Sequence, residues 1–175
     1  PAEVFLSSPV SEQPPSPPIN ASMLQSVMWS LKLRYWAWTH DSWEGIEPDI
    51  KIYMRFFSLK NNRVLAHSLG LQKGMIGVVN GFASVDYQAQ NNFVAMHEIL
   101  HTLGATDKYS AEDNQPVWPD GYADPYQTPL LPQFRTEIMG GRAPQTKQLS
   151  LVPESLQQVV VGPLTAQELN WIQIP

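Results

Sequence analysis

The run HEILHTLGATD at residues 97–107 constrains this chain more than any other stretch. Its spacing predicts a helix. On a helix, His97 and His101 lie one turn apart and about 40° apart around the axis, so both rings leave the same face. Two imidazoles so placed can share one metal ion. Glu98 follows the first histidine and can reach water on that ion without being a ligand. Gly104 stands where a left-handed residue would end the helix and let the chain swing back. Asp107 then arrives where a third ligand is needed.

The flanking residues support a helix. Phe93, Met96, Leu100 and Leu103 recur at helical spacing, with Ile99 at the edge. We expect this stripe to face a core and the two histidines to lie off it, on the floor of a cleft.

HEILHTLGATD resembles the extended H-E-x-x-H-x-x-G-x-x-H/D motif of metzincin-type zinc metallopeptidases. The aspartate in the last position is similar to the snapalysin-like branch of small bacterial peptidases. Downstream, EIMGGR at 137–142 places Met139 before two glycines and looks like the methionine turn of that group. The resemblance spans about residues 45–170. It implies an α+β, zincin-like fold. A small twisted mixed sheet would pack on an N-terminal helix and on the metal helix. A long irregular loop, the methionine turn and a C-terminal helix would follow. It also implies a sheet-edge strand along the cleft that binds extended substrate through its backbone. Residues 74–80 and 82–87 are the two candidates.

The chemistry implied is hydrolysis of peptide bonds. Catalytic zinc keeps three protein ligands and an open position; here these would be His97, His101 and Asp107. The ion would make hydroxide available near neutral pH and polarise the scissile carbonyl. Glu98 would act as general base. Met139 would pack beneath the histidines as an apolar support. Tyr109 is the first candidate for stabilising the oxyanion, ahead of Tyr122 and Tyr126. A glutamate on a second helix is the alternative third ligand, and Glu112, Glu137, Glu154 and Glu168 are available. Asp107 sits at the motif's own offset, and we favour it. The expected function is a zinc-dependent endopeptidase. The alternatives are a non-catalytic binding protein on the same scaffold, and a hydrolase of other amides or esters in wall or glycan material.

The bulk properties narrow the partners. The chain has 175 residues, long enough for one domain with a real core. Its net charge is -5, with no basic cluster, which argues against nucleic acid. No run approaches the ~18–20 apolar residues of a membrane span. The absence of cysteine excludes disulfides and thiolate metal sites. The N-terminus reads as processed or trimmed, which suggests a secreted or cell-envelope protein. We expect a monomer acting on protein or peptide.

Residues 1–18 contain PVSEQPPSPP, too rich in proline for helix or central strand, and read as a tail or linker. Residues 19–175 read as one catalytic domain. Asn20 or Ser22 can cap a helix over 21–38, whose stripe of Leu24, Val27, Met28, Leu31, Tyr35 and Trp38 is expected in the core. His40 reads as a cap or surface residue, and His67 as structural or surface. IKIYMRFF at 50–57 alternates, with Ile50, Ile52, Met54 and Phe56 on the expected buried face. MIGVV at 75–79 reads as a strand, Asn80-Gly81 as a turn, and FASVDY as a third short strand. Prolines 116, 119, 125, 129 and 132 make 105–136 irregular, and we expect it to wall the cleft. Residues 126–145 would shape a specificity pocket. Asp113, Asp120 and Asp124, with Asn114, are acids that could hold calcium, although solvated loop acids fit their spacing better. Thr165 and Glu168 are placed as a capping box opening a C-terminal helix, with Leu164, Leu169 and Ile172 packing it down.

Overall fold

A computed structural model describes residues 3–18 and 22–173. It is a small α+β protein with three α-helices and small sheets. The chain forms two compact units, Pro1–Lys51 and Ile52–Pro175.

In the first unit the proline-rich segment has no regular structure, yet Pro14 is buried and the Trp29 indole N–H donates to the Pro15 carbonyl at 3.0 Å. Helix α1 runs Met23–Thr39. Ser22 is its cap, in a reciprocal capping box with Gln25; Asn20, the other candidate, lies outside the described residues. The expected core stripe is not the buried one. Leu24 is 71% exposed and Trp38 is 74% exposed, and Val27, Met28, Leu31 and Tyr35 are exposed as well. Leu33, Trp36 and Ala37 are covered instead. The helix carries apolar residues around most of its circumference, so periodicity alone could not choose a face. His40 caps the C-terminal end as expected. Its Nδ1 donates to the Trp36 carbonyl at 2.9 Å, and its Nε2 meets Glu12 at 3.0 Å.

The second unit is built on a three-stranded sheet of order β1-β3-β2, with β1 Lys51–Phe57, β2 Leu69–Leu71 and β3 Ile76–Phe82. Strand β2 pairs antiparallel with β3, Leu69 opposite Val78 and Leu71 opposite Ile76. Along β1 the expected faces are reversed at the far end. Met54 and Phe56 are exposed, while Tyr53, Arg55 and Phe57 are half-buried. Arg55 can turn inward because its guanidinium stacks over the Phe57 ring at 5.1 Å.

Strand β3 is buried throughout and passes straight through Asn80-Gly81, where a turn was expected. Distant partners hold it extended. The Asn80 side-chain amide donates to the Ala66 and His67 carbonyls, and its backbone N–H donates to Ser68 Oγ. The buried Asn91 side chain clamps both backbone groups of Phe82. The FASVDY segment is accordingly no strand; Val85–Tyr87 is a short 3-10 turn.

Helix α2, Gln88–Leu103, packs on β2 and β3. Its core partners come from far along the chain. Phe93, Leu100, Ala105, Ile138, Met139 and Leu169 form one buried cluster, with Leu103 partly buried against it. Met96, expected in this stripe, is 40% exposed, and His97 and Glu98 take buried places beside it. Residues 105–135 are irregular, with cis peptides before Pro119, Pro129 and Pro132. Four two-residue strands, paired two by two, pin the remainder. β4, Thr136–Glu137, pairs parallel with β7, Val159–Val160, and β5, Ala143–Pro144, pairs antiparallel with β6, Ser150–Leu151.

The last helix, α3, spans Pro163–Glu168 and starts from Gly162 with Pro163 in its first turn. The expected Thr165–Glu168 capping box is not formed. Thr165 lies inside the helix and its hydroxyl donates to Glu137 Oε1, while Glu168 reaches Thr106 and Lys108. Leu169 is buried and Ile172 is exposed. Among the described residues no helix is long and apolar enough to cross a membrane.

Candidate metal centre

Helix α2 holds His97 and His101 one turn apart, and both rings reach the same point. His97 Nε2 lies 3.1 Å from His101 Nε2. Asp107 Oδ1 completes the triangle, 3.1 Å from His97 Nε2 and 3.2 Å from His101 Nε2. Asp107 gets there because α2 ends on Gly104, at φ 110°, in the left-handed region expected for it. Among the described residues this is the group of histidine and acidic side chains able to hold one ion.

The protons on the rings are set by the backbone. His97 Nδ1 is 2.9 Å from the Ile138 carbonyl, and His101 Nδ1 is 2.8 Å from the Ala105 carbonyl. A carbonyl only accepts, so each Nδ1 carries the hydrogen and each Nε2 presents a lone pair. With both rings neutral, two lone pairs and a carboxylate oxygen crowd together. A cation resolves that crowding. Tetrahedral ligands at ~2.0–2.1 Å from a zinc-sized ion stand roughly 3.4 Å apart, close to the triangle seen here. The donor set and the fixed tautomers fit a metal.

The charges respond to this proximity. Burial pushes the Asp107 carboxyl up, but His101 and His97 outweigh it and hold the group well below the usual carboxylate range. Burial pulls the His101 imidazole down, but Asp107 and the Ala105 carbonyl leave it raised.

Glu98 is 6% exposed and does not join the triangle. The Gly70 amide of β2 donates to its carboxylate, while Oε2 is buried without a hydrogen-bond partner among the described residues. Burial is the main reason its carboxyl is raised. A carboxylate beside three groups able to hold an ion, with one free oxygen, is placed to take up a proton.

Met139 is fully buried in the cluster that supports α2, and His97 is tied to the adjacent Ile138 carbonyl. The turn at 137–141 is organised by Glu137. Its buried carboxylate accepts from the Gly140 and Gly162 amides and from the Thr165 hydroxyl. Glu137 is therefore committed elsewhere, and Glu112, Glu154 and Glu168 do not line the cleft either. Asp107 takes the third position.

Tyr109 lies within the site. Its ring centroid is 6.2 Å from that of His97, and its hydroxyl donates to the Asp107 carboxylate. Burial and then the Asp107 charge push the phenol up to about 12. Tyr122 and Tyr126 stay outside the cleft; Tyr126 is 81% exposed and stacks edge-on with Trp118.

The cleft has a volume of about 770 Å³ and contains the triad, Glu98 and Tyr109. Strand β2 and residues 63–68 form one wall; Gly140, Gly141 and Arg142 contribute to the lining as well. The expected edge strand is thus neither 74–80, which is central, nor 82–87, which is not a strand. It is β2. His67 lines the cleft and is exposed. From the long irregular stretch only Asp107, Tyr109 and Asn114 line it, and from 126–145 only residues 140–142. Asp113 accepts from the Gln115 amide and Asp124 pairs with Arg135; with Asp120 they form no cation site among the described residues.

Compared with protein-family models, curated proteins and solved structures, this chain matches none of them. The site's own geometry therefore carries the functional reading.

Three residues shape the site in roles that sequence reasoning missed. Gly70 donates to Glu98, Glu137 shapes the turn at 137–141, and Glu168 fixes the segment around Asp107. Gly70 and Glu168 act across long separations in the chain, and Glu137 acts through a buried carboxylate whose distant partners, Gly162 and Thr165, no local pattern announces.

Proposed function

We propose that this protein is a zinc-dependent endopeptidase of the metzincin type, with His97, His101 and Asp107 as ligands and Glu98 as general base. The observation that carries the reading is the triangle of His97 Nε2, His101 Nε2 and Asp107 Oδ1, with sides of 3.1–3.2 Å, beside a buried carboxylate that keeps one oxygen free. When bound, zinc supplies Lewis acidity, which polarises a carbonyl and brings the pKa of water toward ~7.

The chain's own groups do the rest. Glu98 Oε2 accepts the proton of the attacking water and passes it to the departing amine. The Gly70 amide donates to that carboxylate and helps to orient it. The Ile138 and Ala105 carbonyls hold the two imidazoles in the ligating tautomer. Strand β2, three residues long at the sheet edge, lines the cleft where an extended peptide would lie. An export destination, outside the cell or in its envelope, accords with this reading.

The test compares wild type with Glu98→Gln on casein and on a peptide library, with zinc content measured in parallel. We expect one zinc per chain in both proteins, with hydrolysis in wild type alone and none after chelation. Equal hydrolysis by both proteins, or no zinc in either, rejects the reading. Zinc without hydrolysis in wild type leaves a metal-bearing binding protein.

A further inference from the structure

The protein carries 16 acidic residues against 11 basic ones, yet its cleft is lined by as many arginines as acids. The acids lining it are Glu98 and Asp107, and both are engaged at the proposed metal site. The remaining charged residues of the lining are Arg63 and Arg142. Neither has an ion pair or a side-chain hydrogen bond among the described residues.

Arg142 is the more telling of the two. It follows Gly140 and Gly141 directly, three residues beyond the buried Met139. It is half-buried, so its charge is only partly solvated. Arg135, by comparison, is paired with Asp124 at 2.7 Å. Arg63 is exposed and lies in the segment leading into β2. Two planar, permanently charged forks therefore face one cleft with no protein carboxylate to receive them.

We propose that Arg142, with Arg63 assisting, selects polypeptide bearing a carboxylate side chain close to the bond that is cut. The proposal rests on the peptidase reading for its cut bond, but the cationic cleft can be tested separately. An isolated guanidinium in a partly desolvated cleft gains a charge-assisted, bidentate hydrogen bond from Glu or Asp, and nothing comparable from Gln. A lysine at that position would meet like charge.

The experiment uses zinc-loaded Glu98→Gln protein and three fluorescein-labelled decapeptides identical except for Glu, Gln or Lys at the two central positions. Binding is read by fluorescence anisotropy at low and high salt. We expect the Glu peptide to bind about tenfold more tightly than the Gln peptide, and the Lys peptide to bind weakest. The preference should shrink at high salt and disappear in Arg142→Gln, and Arg63→Gln should reduce it less. Equal affinities for the Glu and Gln peptides in the unsubstituted cleft, or no measurable binding, overturn the proposal. Cleavage of the same peptides by wild type runs alongside. Preferential binding without cleavage leaves the acidic selectivity standing and removes the peptidase reading; cleavage with no preference does the reverse.

Discussion

Glu168 receives the Thr106 amide proton at 3.0 Å and the Thr106 hydroxyl proton at 2.6 Å, although the two residues are 62 apart in the chain. The same carboxylate pairs with Lys108 at 2.7 Å. Thr106 and Lys108 flank Asp107, so the last turn of α3 sets where the Asp107 carboxylate points. Burial opposes the charge on Glu168, but Lys108 and Thr106 outweigh it and hold the carboxyl below its usual range. A depressed carboxyl contributes stability above the unfolded-state value, ~4.3, and loses it as pH falls through the lower folded value. Glu168→Gln should cost about 1–3 kcal/mol at neutral pH, because the Lys108 ammonium is left buried without its counter-charge. In urea titrations the gap from wild type should close as pH drops below about 4. Zinc affinity should fall about tenfold. A gap that stays constant down to pH 2 would reject this ion pair as its source.

That relationship marks where sequence reasoning reaches its limit. The helix bearing His97 and the left-handed bend at Gly104 are local events, written in spacing and in one glycine. Their offset to Asp107 was legible for the same reason. The turn expected at Asn80-Gly81 failed because Ser68, Ala66, His67 and Asn91 hold that stretch extended from a distance. Strand β2 is three residues long and contains Gly70, too short to show a period. The acid at 168 fitted a local cap and does a long-range job instead. Propensity is a weak prior wherever a buried polar side chain can reach backbone from elsewhere in the fold.

Gly70 is required by how closely α2 approaches the sheet. A Cβ there would overlap the Glu98 backbone carbonyl and stand 2.9 Å from the His101 Cβ. Gly70→Ala must therefore push β2 away from the helix that carries both histidines. We expect a loss of about 1–3 kcal/mol in unfolding experiments, as for other overpacked cores. Peptidase activity should fall further than stability does, because the Gly70 amide also fixes Glu98. Gly77→Ala is the control. Its Cβ would meet the Ile52 Cδ1, the end of a flexible side chain, at 2.7 Å, so the cost should be smaller. Equal losses at the two positions would show that backbone approach at Gly70 is not the cause.

Metal uptake should depend on pH in a direction set by the metal-free triad. A proton on His101 Nε2 competes with the ion for the same lone pair. Burial disfavours that proton, but Asp107 and the Ala105 carbonyl favour it more, and the imidazole titrates above its ordinary 6.5. Zinc affinity should therefore begin to fall while pH is still above 6.5. Below that point it should drop about tenfold per unit for each proton displaced. Calorimetry at several pH values, in buffers of different ionisation enthalpy, counts the protons released. Affinity that stays flat from pH 8 to pH 5 would contradict the triad as ligand set.

Tyr109 offers a last separation of roles. In the present geometry its hydroxyl donates to Asp107, which makes it an orienting partner of a ligand. Groups of that kind typically cost about 10–100-fold in metal affinity or activity when removed. Tyr109→Phe keeps the ring beside His97 and deletes only the hydroxyl. We expect zinc to dissociate about tenfold faster, with the fold and unfolding midpoint of the metal-free protein little changed. If the phenol also turns toward the reacting carbonyl, turnover will fall while substrate KM holds steady, since that contact would strengthen only as charge develops on the oxygen. Stopped-flow chelation measures the first effect and steady-state kinetics at saturating zinc the second. Zinc release at the wild-type rate would show that the hydrogen bond to Asp107 does not help to hold the ligand in place.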